Sequence, residues 1–326
     1  MTSIIYSYIF IYGQAVLSWF KLDTMCFSLF SVNDLFYEEN SRETFGWTHS
    51  DLDRWRMRYP GKSSIRSRID KIMFPLRDEN PTYSASFVTF VIIGINILAW
   101  VFIQGLGSPG AVMDSVWSFG LIPGELLGRL EPGTPIQIRA DLIYRIQDDP
   151  NWKSLITSMF MHGGWFHLVG NMWFLYIFGD NVEDVFGHNK FIIFYLLCGL
   201  AASTVQIISN PSSHIPMVGA SGAVSGVMGA YAVLFPRAPV HMLVFFGFFF
   251  TRIVVPAVFM LGYWLILQLL GGLLGGGAGG VAFWAHIGGF IAGIILLKIF
   301  CSSERAEECR RKRGRTDKIV RKYRMP

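Results

Sequence analysis

The chain has 326 residues, 52% of them hydrophobic and only 16% charged, with a formal net charge of +5. Length alone would permit two or three soluble domains, but the apolar residues gather into runs near the roughly 18 needed to cross a bilayer core of about 30 Å, which excludes that organisation. The composition therefore reads as an all-α polytopic membrane protein.

Residues 1–20 contain no charged residue. A signal anchor, a seventh span or a simple extension would each account for them. A cleaved signal peptide would not, because Lys and Arg are missing from the start and no small-residue cleavage site follows. Residues 21–82 are mixed in charge and end in "FPLRDENPT". The first clear span is Phe87 to Ile103. A loop to about Gly164 follows, with two stretches of amphipathic spacing, "SVWSFGLIPGELL" and "DDPNWKSLITSMFM". In the second, Asp149 is placed to N-cap with Pro150 in the first turn, and Trp152, Leu155, Ile156, Met159 and Phe160 share one face. Both read as short interfacial elements.

Span two runs from about Trp165 to Phe178 and ends in "GDNVED". Span three is Lys190 to Ser209 and span four about Met217 to Leu234, stopped by Pro236 and Arg237. "VHMLVFFGFFF" reads as interfacial or re-entrant, with span five from Val254 to Leu270. "GGLLGGGAGG" is expected as a short flexible loop before span six, Val281 to Phe300. The tail from Glu304 carries "RRKRGR" and "RKYR". A basic tail beside a membrane helix suits a cytosolic, lipid-facing position better than nucleic-acid binding, and the positive-inside rule then has spans two, four and six entering from the outer face. The expected organisation is 1–71 as a largely cytosolic region of unknown role, 72–300 as the membrane domain and 301–326 as the basic tail. Cys26, Cys198, Cys301 and Cys309 form no CxxC pair and join no His at ligand spacing. They read as reduced thiols, and no metal or other cofactor is expected.

In this topology several polar residues share one depth. His167 and Asn171 lie in the first turns of span two, Ser221 in the first turn of span four, and His286 in the second turn of span six. At 1.5 Å per residue they sit roughly 5–9 Å below the outer surface. Polar groups inside spans are costly and by default mark function. His167 and Asn171 are four residues apart and share a helical face. Gly289 and Gly293 bare the face that carries His286, and Gly222 and Gly226 do the same beside Ser221. Such small residues let membrane helices approach closely, so spans four and six are predicted neighbours with Ser221 facing His286.

A serine hydroxyl becomes a useful nucleophile when a base takes its proton, and histidine is the usual base. No Asp or Glu lies between Val185 and Ser303, and Asp180 and Asp184 are about 20 Å from His167 along span two. The economical reading is a Ser–His dyad, with His167, Asn171 and the Ser221 backbone N–H as oxyanion donors. Each motif alone is more often packing or helix–helix hydrogen bonding. Their conjunction at one depth favours chemistry. His162, His188, His214 and His241 lie in loops or at span ends and need no role. There is no HExxH and no pair of intramembrane aspartates. A small transporter would need a polar path through the bilayer, whereas these residues stop near the outer third.

Three segments, "MHGGWFHLVGNMWFLYIFGDNVED", "GASGAVSGVMGAYAVLFPRA" and "AHIGGFIAG", together resemble the rhomboid intramembrane serine proteases over about residues 72–300. "PLRDENPT" before span one resembles a common bacterial branch. The resemblance implies a six-transmembrane-helix bundle, Ser221 as nucleophile, His286 as general base, and His167 with Asn171 as oxyanion support. It also implies cleavage of single-span transmembrane proteins in a lipid bilayer, a bacterial-type plasma (inner) membrane, and no nucleic-acid partner. A non-cutting rhomboid-like binding protein is the alternative. Two departures stand out. Ser225 occupies the place where many relatives carry an aromatic residue against the catalytic histidine, for which Phe283 or Trp284 would have to substitute. Loop one also lacks the Trp-Arg pair found in many relatives.

Overall fold

The computed structural model describes residues 73–139, 142–246, 249–274 and 281–301. The expectations for 1–71, for the tail and for Cys26 and Cys309 lie outside the described residues. The order of elements is β1 (Met73–Asp78), α1 (Phe87–Phe102), α2 (Pro109–Phe119), α3 (Pro123–Leu126), β2 (Pro135–Arg139), β3 (Leu142–Arg145), α4 (Ser154–Thr157), α5 (Trp165–Phe186), α6 (His188–Ser209), α7 (Ser221–Leu234), β4 (Pro239–Phe246), β5 (Phe249–Pro256), α8 (Ala257–Leu274) and α9 (Phe283–Phe300). Three of these, α6, α8 and α9, are long and apolar enough to cross a membrane, and α1 and α7 are shorter apolar helices. β2 and β3 form an antiparallel pair, Pro135 opposite Arg145, and β1, β4 and β5 form a sheet in the order β1-β4-β5.

The described chain divides into two compact units. The smaller takes in 242–246 and 249–253 with Met73, Phe74 and Val281, and the larger takes in the other described residues. In the larger unit polarity is distributed as a bilayer demands. Phe102, Ile208, Leu274 and Ile299 are more than 70% exposed, whereas Asn96, Gln104, Asn181, Glu183, Gln268 and His286 are buried. Apolar side chains face outward because lipid solvates them, and polar ones turn inward to find partners. The protein is an integral membrane protein.

α5 runs through "GDNVED" to Phe186 instead of stopping at Phe178. Its acids do not end the helix because they serve its neighbour. Glu183 accepts from the N–H groups of Val88 and Thr89, each at 2.8 Å, and from the Thr89 hydroxyl at 2.7 Å. Asp184 accepts from the Ser84 N–H and hydroxyl at 3.0 and 2.6 Å. The first N–H groups of a helix have no partner within it. Ser86, the N-cap of α1, supplies no side-chain bond, so the Glu183 carboxylate does, while Asp184 holds the chain just before the helix.

Other expectations are corrected. Asp149 is no N-cap: α4 starts at Ser154, and its buried side carries Ser154, Ser158 and Met159 while Trp152 and Ile156 face out. "VHMLVFFGFFF" enters a strand pair, because Val240, Met242 and Val244 are buried in alternation, the period of a strand. α8 continues through Gly271 and Gly272 to Leu274, so the first part of the expected glycine loop is helical. The reason is room. A Cβ on Gly271 would lie 2.4 Å from the Phe283 ring, and one on Gly272 would lie 3.3 Å from the Trp284 ring.

Candidate active site

α7 begins at Ser221, directly after Gly219 and Ala220. Gly219 has a φ of +123°, a conformation that side chains resist. Its N–H donates to the Ser158 carbonyl at 2.8 Å, which ties the approach to α7 to the chain before α5. Ser221 is thereby presented at a helix start, where its own N–H has no intrahelical acceptor.

α9 lies against α7 at backbone contact. A Cβ on Gly289 would fall 2.0 Å from the Gly222 carbonyl oxygen, and one on Gly293 would fall 1.9 Å from that of Gly226. Gly222 and Gly226 themselves meet a third helix, α6: a Cβ there would approach Ala202 Cβ at 2.6 Å and Cys198 Cβ at 2.4 Å. The small residues thus seat three helices together, one more than the sequence pattern proposes. With the backbones this close, His286 Nε2 lies 2.8 Å from Ser221 Oγ. His286 is 2% exposed.

His167 and Asn171 reach the same place from α5. A Cβ on Gly219 would lie 2.6 Å from His167 Nε2 and 3.6 Å from Asn171 Nδ2, so both nitrogens converge on the residue two before Ser221. The Gly163 N–H donates to His167 Nδ1 at 3.2 Å. A neutral His167 then carries its proton on Nε2, which faces Gly219 as a donor. Asn171 Nδ2 is enclosed and meets no hydrogen-bond partner among the described residues. Buried donors are nearly always paired, so an open one beside Ser221 is a candidate contact for an arriving group.

Residues 149–303 match the family model for the Rhomboid domain. The chain is 32% identical over 165 residues to Rhomboid-like protein 11, chloroplastic, of Arabidopsis thaliana, covering 48% of this chain and 55% of that protein. It is 40% identical over 85 residues to RHOMBOID-like protein 6, mitochondrial, of the same plant, covering 26% and 27%. With Rhomboid protease GluP of Bacillus subtilis (strain 168) it shares 31% identity over 225 residues, 65% of this chain and 39% of that protein. Residues 149–303 thus carry the Rhomboid domain. The chain spans about half of the first relative's length and less of the other two.

The two departures of this chain from the rhomboid pattern have local answers. Ser225 donates to the Ser221 carbonyl at 2.6 Å. The ring beside His286 comes from Trp264 on α8, with centroids 5.9 Å apart and planes tilted by 39°; Phe283 and Trp284 lie over Gly271 and Gly272 instead. Loop one is braced largely through backbone. Leu121 and Met217 bond to each other at 2.9 and 2.8 Å, and the Gly124 N–H donates to the Ser213 carbonyl at 2.9 Å. At the end of α1, Gln104 holds both the N–H and the carbonyl of His162, at 2.9 and 2.8 Å.

Sequence reasoning passed over three of these groups. His162 is fully buried, its ring edge-on to His167 with centroids 5.1 Å apart, and that burial, with the nearby His167, holds its imidazole well below the ordinary histidine range. Trp264 gave no signal, being one aromatic residue in an apolar span. Gln268 did give one. It is a polar side chain within an apolar helix, and its Oε1 lies 2.8 Å from His286 Nδ1.

Proposed function

We propose that this chain is an intramembrane serine endopeptidase that cuts transmembrane helices of other membrane proteins near their outer ends. The observation that carries the reading is the 2.8 Å approach of Ser221 Oγ to His286 Nε2 beside two converging donors. In the reaction His286 Nε2 takes the hydroxyl proton as Oγ attacks a substrate carbonyl, then delivers it to the leaving amine. The negative charge that develops on the carbonyl oxygen is met by the Ser221 N–H, His167 Nε2–H and Asn171 Nδ2–H. Water then releases the acyl group by the same proton relay.

A carbonyl inside an intact helix is already hydrogen-bonded, so the substrate must present an extended segment. Gly and Pro near the cut favour that, because they weaken a helix interior by about 1 and 3 kcal/mol relative to Ala. Gly199, Ala202, Ser203, Gly222 and Ala285 line a cleft beside Ser221, and these small residues support a small side chain at the cut. We assign 72–300 to the membrane domain, crossed six times, with 1–71 largely on the cytosolic side and 301–326 as a basic cytosolic tail. The longer reach of the Bacillus subtilis match supports a bacterial-type plasma membrane. The chloroplastic and mitochondrial relatives make organelle membranes the alternative.

The deciding experiment incubates the purified protein with a single-span substrate, wild type against Ser221→Ala, and labels both with a fluorophosphonate. Cleavage and labelling by the wild type alone support the proposal. A wild type that binds the substrate but neither cuts nor labels overturns it in favour of client capture.

A further inference from the structure

The His286 ring makes two hydrogen bonds, and the dyad accounts for only one. Nε2 faces Ser221 Oγ at 2.8 Å, and Nδ1 faces Gln268 Oε1 at 2.8 Å. Gln268 sits on α8 and is 1% exposed. Its amide nitrogen reaches the Trp264 carbonyl at 3.5 Å, one turn earlier, so the oxygen is the end turned to the histidine. An amide oxygen only accepts, and the imidazole nitrogen facing it must therefore hold a proton. That leaves the Nε2 lone pair directed at the serine. A second glutamine fixes the backbone beside the ring, as the Ala285 N–H donates to Gln206 Oε1 of α6 at 3.2 Å.

We infer that Gln268 is the positioning residue of His286, standing where a triad places its carboxylate. The inference rests on the Ser–His reading and deepens it. A neutral amide in the third position has a chemical precedent in Cys-His-Asn proteases. Among the described residues of the surrounding helices no carboxylate competes for the place. α6, α7, α8 and α9 carry no Asp or Glu; their titratable side chains are His188, Lys190, Tyr195, Cys198, Tyr231, Tyr263 and Lys298, besides His286 itself. α5 contributes His167 at this end, Tyr176 at its middle and Asp180, Glu183 and Asp184 at its other end. During attack the proton leaves Ser221 Oγ for Nε2, while the Nδ1 proton stays on the ring, hydrogen-bonded to Gln268. The same bond fixes ring orientation, with Trp264 alongside.

The test compares Gln268→Met and Gln268→Glu with wild type, by thermal unfolding in detergent and by cleavage kinetics across pH. Methionine keeps the volume and removes the acceptor. Its kcat falls about 10–100-fold, a part of the roughly 10²–10⁴-fold that general acid–base catalysis supplies, while KM stays near wild type. Glutamate keeps the acceptor and rescues turnover at alkaline pH. A carboxylate favours the imidazolium, so the acid limb of kcat/KM moves up by on the order of one pH unit. A merely structural glutamine would change the unfolding temperature and leave that limb in place. Wild-type kcat in Gln268→Met, or an unmoved acid limb in Gln268→Glu, overturns the inference, and the second test stands even where methionine prevents folding. Ser221→Ala and His286→Ala run in the same assay. Cleavage by either near the wild-type rate overturns the dyad together with this inference, whereas inactivity of both beside a fully active Gln268→Met removes the inference alone.

Discussion

The two ends of α5 treat polar groups in opposite ways. At one end Glu183 and Asp184 are saturated, each accepting several hydrogen bonds from the chain that leads into α1. At the other end Asn171 Nδ2 is buried without a hydrogen-bond partner among the described residues, and His167 Nε2 faces a bare glycine. Burying an unpaired polar group costs about 1–3 kcal/mol. The saturated end therefore contributes stability and the open end gives some up, which under the proposed function keeps donors ready for an arriving oxyanion. Mutations should separate the two, with turnover lost at one end and folding at the other.

The largest effect is expected at the open end. Ser221→Ala and His286→Ala each abolish proteolysis while the protein still unfolds cooperatively at the wild-type temperature. Residual cleavage within about tenfold of wild type for either variant would remove the dyad from the account, since the proton relay supplies about 10²–10⁴-fold or more.

Next come the glycines that set the distance. Gly289→Leu and Gly226→Leu must displace a carbonyl oxygen and the Cys198 side chain, respectively. Both are expected to lose activity and stability together, read by cleavage and by thermal unfolding in detergent. A stable, fully active leucine variant at both positions would mean that close helix approach does not set the Ser–His distance.

Asn171→Ala and His167→Ala sharpen the comparison. Loss of one oxyanion donor costs about 10²–10³ in turnover, so kcat should fall by that factor while the unfolding temperature holds or rises. Unchanged turnover in both would make the open end a structural feature like the other.

The smallest effect on chemistry belongs to the saturated end. Glu183→Ala strands the Val88 and Thr89 N–H groups, at about 1–3 kcal/mol for each buried donor left unmet. Unfolding should come at lower temperature, with turnover per folded molecule retained. A selective loss of kcat without loss of stability would contradict the division of labour along α5.

The sequence by itself determined the apolar helices, their order, and the placing of Ser221, His286, His167 and Asn171 near helix starts. Those features are local: hydropathy sets a span, and a period of 3.6 sets a face. It also marked Gly289 and Gly293 as a packing surface. What it left undecided depends on contacts across long stretches of chain. "GDNVED" looked like the end of a helix because its acids interrupt the apolar run; besides His188 next to Glu183, the partners of Glu183 and Asp184 lie about a hundred residues away, around the start of α1. "VHMLVFFGFFF" is apolar throughout, so only burial of alternate residues in a strand reveals its period. Gln268 was visible as a polar residue in an apolar helix, yet nothing local indicated which of its faces meets His286, 18 residues on. The aromatic neighbour of that histidine was sought on α9, beside it in sequence, and came from α8 instead. Tertiary structure decided these points because helix packing chooses which residues share a hydrogen bond, and sequence distance does not measure that choice.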